Sequence, residues 1–370
     1  AYGFIRAMIG QGAGPQATVL WTGEREELVR LTVHRAIDAL AVRGAIAAGG
    51  APGRGPVDPE EAGNAIGLWK WALIPPERAC SRGHPYLPLV YREFEALRTR
   101  AGALTFDDFV PTAVRLLEED AAIARTWTGR KDHLIVDEYQ DVNYGQQRLI
   151  ELLAADRADV MVVGDDDQTI YEWRGARPNY LIREFRSAFG NKPHLDYQLT
   201  RSFRFGPTIA QCAHNVIGFN AARVSKSLVA HDPAREARIE ILAGAEVDRQ
   251  LADQVEALLG EPGTGPRDVI VLARMFVQLS GLEAELLARR IPYQVRGSQP
   301  FFARREPRVL LDYLRFALTL ERPLTREAED QLLAIANTPS RKLRRDVLRT
   351  AMRAGRIGGQ SAIAALTALV

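Results

Sequence analysis

The chain has 370 residues, of which 46% are hydrophobic and 25% are charged; these values are typical of a globular protein and exclude wholesale disorder. Its 48 basic and 46 acidic side chains leave a net charge of only +2, so any basic surface for nucleic acid must be local. Two cysteines cannot form a disulfide framework, and no apolar run is long enough to span a membrane, which together favour a reduced, cytoplasmic setting.

The first hundred residues are predicted to be mostly helical. Residues 24–40 place apolar side chains at helical spacing, and a second helix is expected over residues 88–100. Between them, residues 44–59 are rich in glycine, proline and alanine. That composition predicts a flexible loop with little capacity to pack.

From about residue 100 the pattern changes to short apolar runs that end in acidic residues. Residues 133–136 and 159–163 are two such runs, and residues 146–155 between them have apolar side chains at helical spacing. Strand, helix and strand within about 30 residues form a βαβ unit, which predicts a parallel pair. Because both strands are apolar throughout, we expect a sheet that is covered on both faces.

A second α/β half is predicted further along the chain. Its expected strands and helices alternate over residues 239–242, 247–259, 268–272, 281–290 and 293–295. The two halves are expected to meet around residues 195–205. After about residue 308 the pattern predicts helices to the end.

Acidic side chains follow the two strands of the first half. Ligands bind at the carboxyl ends of strands in parallel sheets. At such an end, the Asp137 carboxylate can hold Mg²⁺ through water while the Glu138 carboxylate polarises an attacking water. A solvated strand end is the alternative for an acidic pair considered alone. The run 165–167 could suggest a two-metal nuclease, but the residues directly after it have no role in such a site.

Polar and aromatic residues follow the second acidic run. The amide of Gln168 can sense a phosphate or a water. Tyr171 and Trp173 can stack on bases, and Arg174 can contact a phosphate. The alternative is that both rings lie in the core, since aromatic side chains are usually buried.

Several ordered motifs carry a family resemblance. DEYQD (137–141) and VGDDDQTIYEWRGA (163–176) resemble motifs II and III of the UvrD/Rep family of superfamily 1 DNA helicases. The similarity covers most of the chain from about residue 66. It includes LTFDDF (104–109) before motif II, LTRSFRF (199–205) as motif IV, residues 270–297 with FFARRE (301–306) in the second motor domain, and NTPSR (337–341) at the start of subdomain 2B.

Some positions depart from the family pattern. Motif IV has SFRF (202–205) where the family usually has NYRS, a variant that is similar to the F-box DNA helicases and their bacterial relatives. Phe203 keeps a ring that can stack on adenine, and Arg204 keeps a guanidinium for the γ-phosphate. Of the family's RTN motif after the second-domain strand, only Arg274 remains.

The family's phosphate loop, GxxxxGK[ST], has no counterpart here. Residues 10–14 are glycine-rich but lack the lysine, and the lysine of residues 190–193 is followed by proline. Motifs V and VI are also missing, and the opening AYGF (1–4) resembles the segment just after the family's motif Ib. We therefore expect the chain to be a middle segment of a longer protein.

The resemblance implies an α/β fold of two RecA-like parallel-sheet motor domains, both incomplete, with helical subdomains. The implied division is a helical 1B subdomain over 1–98, the remainder of 1A over 99–196, part of 2A over 197–318 and the start of helical 2B over 319–370. The basic stretch 341–356 is either a solvated helix face or a contact to duplex DNA.

The resemblance also implies a function. The implied activity is ATP-dependent unwinding of DNA by 3′→5′ translocation, with ATP and Mg²⁺ as cofactors. The implied partners are single-stranded DNA and its junctions with duplex. The implied location is the nucleoid in the cytoplasm, without membrane contact. The implied site residues are Asp137 and Glu138 at the metal and water, Gln168 as coupler, Phe203 and Arg204 on the nucleotide, and Tyr171, Trp173, Arg174 and Arg274 on DNA. The alternative is a catalytically inactive, helicase-like DNA-binding or regulatory protein.

Overall fold

The computed structural model describes residues 7–8, 18–19, 25–46, 55–190, 192–297, 305–338, 341 and 344–367. The chain divides into two compact units, Ala1–Arg238 (unit 1) and Ile239–Val370 (unit 2). This division lies further along the chain than the boundary near residues 195–205 that the sequence predicts. The four-part division into subdomains is finer than these two units and stays a prediction.

The helical layer of unit 1 consists of α1 (Arg25–Val42), α2 (Pro59–Trp71) and α3 (Leu87–Arg100). The two helices predicted in this region are confirmed, whereas α2 was not predicted. Its start is encoded locally, because the Asp58 carboxylate accepts a hydrogen bond from the Glu60 N–H and proline opens the helix. The three helices share one apolar core.

The glycine- and proline-rich loop between α1 and α2 packs more than expected. Ile46 and Val57, which lie at its two ends, are buried in the core of the helical layer. The expectation of little packing is therefore wrong at both ends, because each end carries one aliphatic side chain that the composition of the whole stretch hides. Residues 47–54 lie outside the described residues.

A short parallel pair joins β1 (Thr18–Val19), which precedes α1, to β2 (Ala103–Leu104), which follows α3. The helices α4 (Phe109–Glu119) and α5 (Ala121–Trp127) come next. The central βαβ unit consists of β3 (His133–Val136), α6 (Tyr144–Ala154) and β4 (Asp159–Val162). Strands β3 and β4 are parallel over their full length, which confirms the sequence prediction. Asn143 and Gln146 form a capping box that starts α6.

The faces of this sheet differ from the expectation. One face packs on Tyr139, Tyr180 and their neighbours. On the other face, Ile135 and Met161 are neighbours in register and are 72% and 57% exposed. The prediction of a sheet covered on both faces is therefore wrong for the described residues. The apolar side chains of the second face have no covering layer in the described part of unit 1.

The rest of unit 1 contains α7 (Phe185–Ala188), β5 (Arg201–Ser202), α8 (Pro207–Ile217) and β6 (Val229–Ala230). Strands β5 and β6 pair in parallel. Together with the other parallel pairs, they confirm the α/β class of the prediction.

In the described residues, unit 2 is built of helices: α9 (Val247–Leu259), α10 (Ser280–Ala288), α11 (Arg305–Ala317), α12 (Arg326–Ile335), α13 (Arg345–Ile357) and α14 (Ala362–Thr367). The helices predicted over 247–259, 281–290 and after 308 are confirmed. The strands predicted over 239–242, 268–272 and 293–295 are wrong: these segments carry neither helix nor strand. Several of their apolar residues, such as Ile241 and Leu272, are exposed, and no neighbouring segment among the described residues offers them a hydrogen-bonded ladder.

The last helices of unit 2 share a core that includes Phe316, Leu332 and Met352. The basic stretch 341–356 is partly used inside this unit. The Arg341 guanidinium donates to the Ala336 carbonyl oxygen at 3.0 Å, just beyond α12. Arg344 pairs with Asp346.

Across the described residues, every helix is too short or too polar to cross a membrane. Residues 1–4, 10–14, 301–304 and 339–340, which hold several of the sequence motifs, lie outside the described residues.

Candidate functional site

The acidic pair lies directly after β3. Both side chains are exposed, and the Glu138 N–H donates to Asp137 Oδ1 at 3.0 Å. Glu138 has a φ of +53°, in the left-handed region that non-glycine residues rarely adopt. Such backbone costs about 1–3 kcal/mol and is characteristic of functional sites. Both carboxylates lie at the same end of the sheet, because the two residues directly follow β3.

Gln140 joins the ends of the two strands, a role that the sequence reasoning missed. Its amide is buried, its Nε2 donates to Glu138 Oε2 at 2.7 Å, and its Oε1 accepts from the Asp165 N–H at 3.0 Å. The available signal was a glutamine two residues after the acidic pair, because an amide offers both a donor and an acceptor. Gln140 therefore fixes the Glu138 carboxylate relative to the end of β4.

Gly164 allows this approach. A Cβ atom at residue 164 would lie 2.6 Å from Gln140 Oε1 and 3.2 Å from the Gln140 backbone nitrogen. Glycine at the end of β4 thus makes room for the amide that links the two strands.

Gln168 continues the same network. Its Nε2 donates to Asp165 Oδ2 at 2.7 Å, while its side chain remains exposed to solvent. A continuous path therefore runs from Glu138 through Gln140 and Asp165 to Gln168. The structure brings these two predicted site residues together through two residues to which the sequence analysis assigned no role.

The aspartate run 165–167 is neutralised by basic side chains of the same unit. Carboxylate oxygens of the three residues lie within 4.8 Å of one another. Lys226 Nζ lies 2.6 Å from Asp165 Oδ1 and 3.0 Å from Asp167 Oδ2, and it also contacts Asp166. A cation thus already occupies the place that a metal would need, which agrees with the sequence argument against a two-metal nuclease.

The pKa values reflect this pairing. Burial acts to raise the pKa of Asp165, but hydrogen bonds from Lys226 and Gln168 outweigh it and hold the pKa below its ordinary value. The pKa of Asp167 is lowered in the same way, against its burial, by Asn220, Lys226 and Arg223. Burial acts to lower the pKa of Lys226, but the three aspartates raise it to about 12. Asp165, Asp167 and Lys226 are therefore charged at neutral pH.

An exposed aromatic surface follows Gln168. Trp173 is 62% exposed and Tyr171 is also exposed, so the core alternative for these rings is wrong. The Arg174 guanidinium carbon lies 4.6 Å from the Trp173 ring centroid and 5.7 Å from that of Tyr171. It also lies 5.8 Å from the ring of Trp71 in α2, a neighbour that the sequence analysis missed. Trp71 Nε1 in turn donates to Asp107 Oδ1 at 3.0 Å.

The motif IV residues lie at the end of β5. The exposed Phe203 ring lies 4.3 Å from the His231 ring, centroid to centroid. Arg204 is exposed, and within the described residues its guanidinium has no hydrogen-bond or ion-pair partner. No direct contact joins Arg204 to Asp137 or Glu138 in the described part of unit 1. Arg274 belongs to unit 2, where it is exposed in a segment without helix or strand.

Comparison with known proteins places the βαβ unit and the aromatic surface in a recognised helicase domain. The model of the UvrD/REP helicase N-terminal domain matches residues 65–189, which include the βαβ unit and the aromatic surface. This match and the relatives described next support a superfamily 1 helicase of the UvrD/Rep family.

Individual relatives are similar over longer stretches. The chain is 30% identical to the ATP-dependent DNA helicase Rep of Escherichia coli over 76% of this chain and 41% of that protein. It is 29% identical to Rep of Buchnera aphidicola over 77% of this chain and 44% of that protein. It is 33% identical to the ATP-dependent DNA helicase UvrD2 of Mycobacterium tuberculosis over 64% of this chain and 36% of that protein. The chain thus spans less than half the length of these relatives.

Proposed function

We propose that this chain supplies part of the RecA-like motor core of an ATP-dependent DNA helicase. The whole protein would move 3′→5′ along single-stranded DNA and unwind duplex at junctions, in the bacterial cytoplasm. The observation that carries the proposal is the hydrogen-bonded path from Glu138 to Gln168, which leads into the exposed aromatic surface. A DNA-dependent ATPase needs such a connection, because binding at one end must alter chemistry at the other.

The acidic pair fits a magnesium ion. Exposed carboxylate oxygens at a strand end are ligands that Mg²⁺ accepts, commonly with water molecules retained between ion and protein. Asp137 would hold the ion through water, with Glu138 as the second acidic residue beside it. When bound with ATP, Mg²⁺ neutralises negative charge on the phosphates. Glu138 orients and polarises the attacking water, and the hydrogen bond from Gln140 fixes the direction of its carboxylate.

The nucleotide has further proposed partners. Gln168 senses the γ-phosphate through its exposed amide and passes its position to the aromatic segment. Arg204, whose guanidinium has no partner among the described residues, neutralises charge on the phosphate. Phe203 stacks on adenine.

Four residues are proposed to hold single-stranded DNA. Tyr171 and Trp173 stack on bases, and Arg174 lies against both rings, so that it contacts the DNA backbone from a fixed position. Arg274 of unit 2 is proposed separately as a contact to a DNA phosphate.

The decisive experiment uses the whole protein that contains this chain and its Glu138→Gln variant. ATP turnover is measured with and without single-stranded DNA, and unwinding is measured on duplexes with a 3′ or a 5′ tail. The wild type should be stimulated by DNA and should unwind the 3′-tailed duplex. The variant should lose about 10²–10⁴-fold in turnover, because it lacks the base, while its nucleotide affinity is retained.

Glu119→Gln is the matched control, because Glu119 is an exposed glutamate at the end of α4. It should leave turnover unchanged. A wild-type protein without DNA-stimulated turnover, or a Glu138→Gln variant with near-full activity, would contradict the proposal.

A further inference from the structure

The aspartate run 165–167 poses an electrostatic problem. Its oxygens lie within 4.8 Å of one another, and the Asp166 and Asp167 side chains are only 2% and 3% exposed. Like charges at this distance repel, and burial weakens the screening by water. A cation held against the run would offset this repulsion.

That cation comes from a distant segment of unit 1. Lys226 contacts all three carboxylates, and Arg223 Nη2 donates to Asp167 Oδ2 at 2.8 Å. The same segment adds two uncharged donors: the Val224 N–H donates to Asp166 Oδ2 at 2.7 Å, and Asn220 Nδ2 donates to Asp167 Oδ1 at 3.0 Å. Residues 220–226 are therefore joined to the segment after β4 by several hydrogen bonds and ion pairs.

Asp165 connects this contact to the proposed coupler. One of its carboxylate oxygens accepts from Gln168 Nε2 at 2.7 Å, and the other lies 2.6 Å from Lys226 Nζ. Its backbone N–H is held by Gln140. The position of Gln168 thus depends on a carboxylate that Lys226 holds in place.

The same segment also leads to the residues of motif IV. Shortly after Lys226 the chain forms β6, which pairs with β5, and β5 runs directly into Phe203 and Arg204. Residues 220–230 therefore contact the aspartate run beside Gln168 and also pair with β5, the strand that directly precedes Phe203 and Arg204.

We propose that Lys226 is a positioning residue, which neutralises the aspartate run and so holds Gln168 in a fixed position relative to β5 and the Phe203 and Arg204 that follow it. The proposal rests on the function proposed above. Lys226 touches neither nucleotide nor DNA; it acts through Asp165 on one side and through β6 on the other.

The test uses the whole protein with Lys226→Met, Lys226→Arg and a matched control, Lys192→Met. Lys192 also pairs with an aspartate, Asp159, at 2.7 Å, but at the opposite end of the same strand β4. Lys226→Met should lower the kcat of DNA-stimulated ATP hydrolysis by about 10- to 100-fold, the range for a misplaced catalytic group. The KM for ATP should stay unchanged, Lys226→Arg should recover much of the kcat, and Lys192→Met should behave as wild type.

A second measurement does not depend on ATP turnover. Amide hydrogen exchange should rise in residues 164–169 and 220–230 of Lys226→Met and in neither segment of Lys192→Met. If the wild type shows no turnover, the proposed function fails, while exchange still tests the contact. If the wild type turns over ATP and Lys226→Met keeps its kcat, the positioning role is overturned whatever the exchange shows. If Lys226→Met is unstable, adding Asp167→Asn removes one repelling charge, and the double variant is used for the same two measurements.

Discussion

Trp173 and Arg174 illustrate how a pair of exposed side chains can be held ready for a ligand. A large apolar ring that is 62% exposed gains little from burial in the fold. The guanidinium over its ring restricts both side chains through a cation–π contact, worth about 0.5–1 kcal/mol at an exposed site. The ring therefore presents one face to solvent in a restricted orientation, which lowers the entropy cost of stacking on a base.

Trp173→Ala in the whole protein should weaken binding of single-stranded DNA by about 1–3 kcal/mol, the value of one stacked base. Its melting temperature should change little, because the ring is mostly exposed. Fluorescence titration with an oligonucleotide and thermal melting measure the two effects.

Trp69→Ala provides the opposite pattern as a control. Trp69 packs against the core of the helical layer and stacks on Tyr91 with ring centroids 5.5 Å apart. Its loss should lower the melting temperature and leave the DNA affinity of the folded protein intact. If Trp173→Ala behaved like Trp69→Ala, the stacking role would be wrong.

At the scale of elements, the end of β4 is constrained by its glycine. Gly164→Ala would place a Cβ atom 2.6 Å from Gln140 Oε1, and the buried Gln140 amide is held by two hydrogen bonds. Overpacking of this kind costs about 1–3 kcal/mol of unfolding free energy. We expect that loss in denaturant unfolding of the whole protein.

Gly63→Ala is the matched control for this substitution. Gly63 lies inside α2, and a Cβ atom there would meet nothing within 4 Å. Alanine should therefore raise the unfolding free energy by about 0.5–1 kcal/mol, as usual for a helix interior. A Gly164→Ala variant as stable as wild type would show that Gln140 can move freely.

The aspartate run predicts a pH dependence. Because the pKa values of Asp165 and Asp167 are lowered in the folded protein, their contribution to stability is complete above the ordinary value of about 3.9. It is lost as the pH falls through the lowered values. Asp167→Asn should thus reduce the unfolding free energy at neutral pH. On acidification below about pH 4, the variant should lose less unfolding free energy than the wild type. Urea unfolding at a series of pH values measures this, with Glu119→Gln as the control; parallel curves for Asp167→Asn and wild type would refute it.

The elements also show what a sequence can and cannot predict. The βαβ unit was predictable because its periodicities are local and its strands are close in sequence. The contact of Lys226 with Asp165 was not predictable, because the two residues lie far apart in the chain. The local sequence pattern around either residue does not indicate that the other is its partner. Gln140 lay inside a recognised motif, but only the paired strands reveal that its amide reaches both ends.

At the scale of the whole molecule, the 370 residues contain no lysine-bearing phosphate loop. We therefore expect the chain by itself not to hydrolyse ATP appreciably, because the β- and γ-phosphates lack the backbone cradle and lysine that normally hold them. A steady-state assay with saturating single-stranded DNA tests this expectation. Robust DNA-stimulated turnover would mean that another segment replaces the loop.

The predicted architecture succeeded unevenly between the units. The order of motifs indicated the helicase resemblance that the comparisons support, and the helices of unit 2 follow their apolar spacing. The strands expected around Ile241 and Leu272 failed, because an apolar run specifies a strand only when a neighbouring strand completes its hydrogen bonds. The proposed site residue of this unit, Arg274, accordingly depends on the family resemblance alone.

In the described part of unit 1, one face of the central sheet is uncovered, and this has a practical consequence. Ile135 and Met161 form an adjacent apolar pair on parallel strands, and such patches adhere to other apolar surfaces when protein concentration rises. A preparation of this chain on its own should therefore tend to self-associate and to bind hydrophobic dyes. Self-association should be weaker at low protein concentration. It should also be weaker when both residues are replaced by threonine, which suits a strand but removes most of the exposed apolar surface.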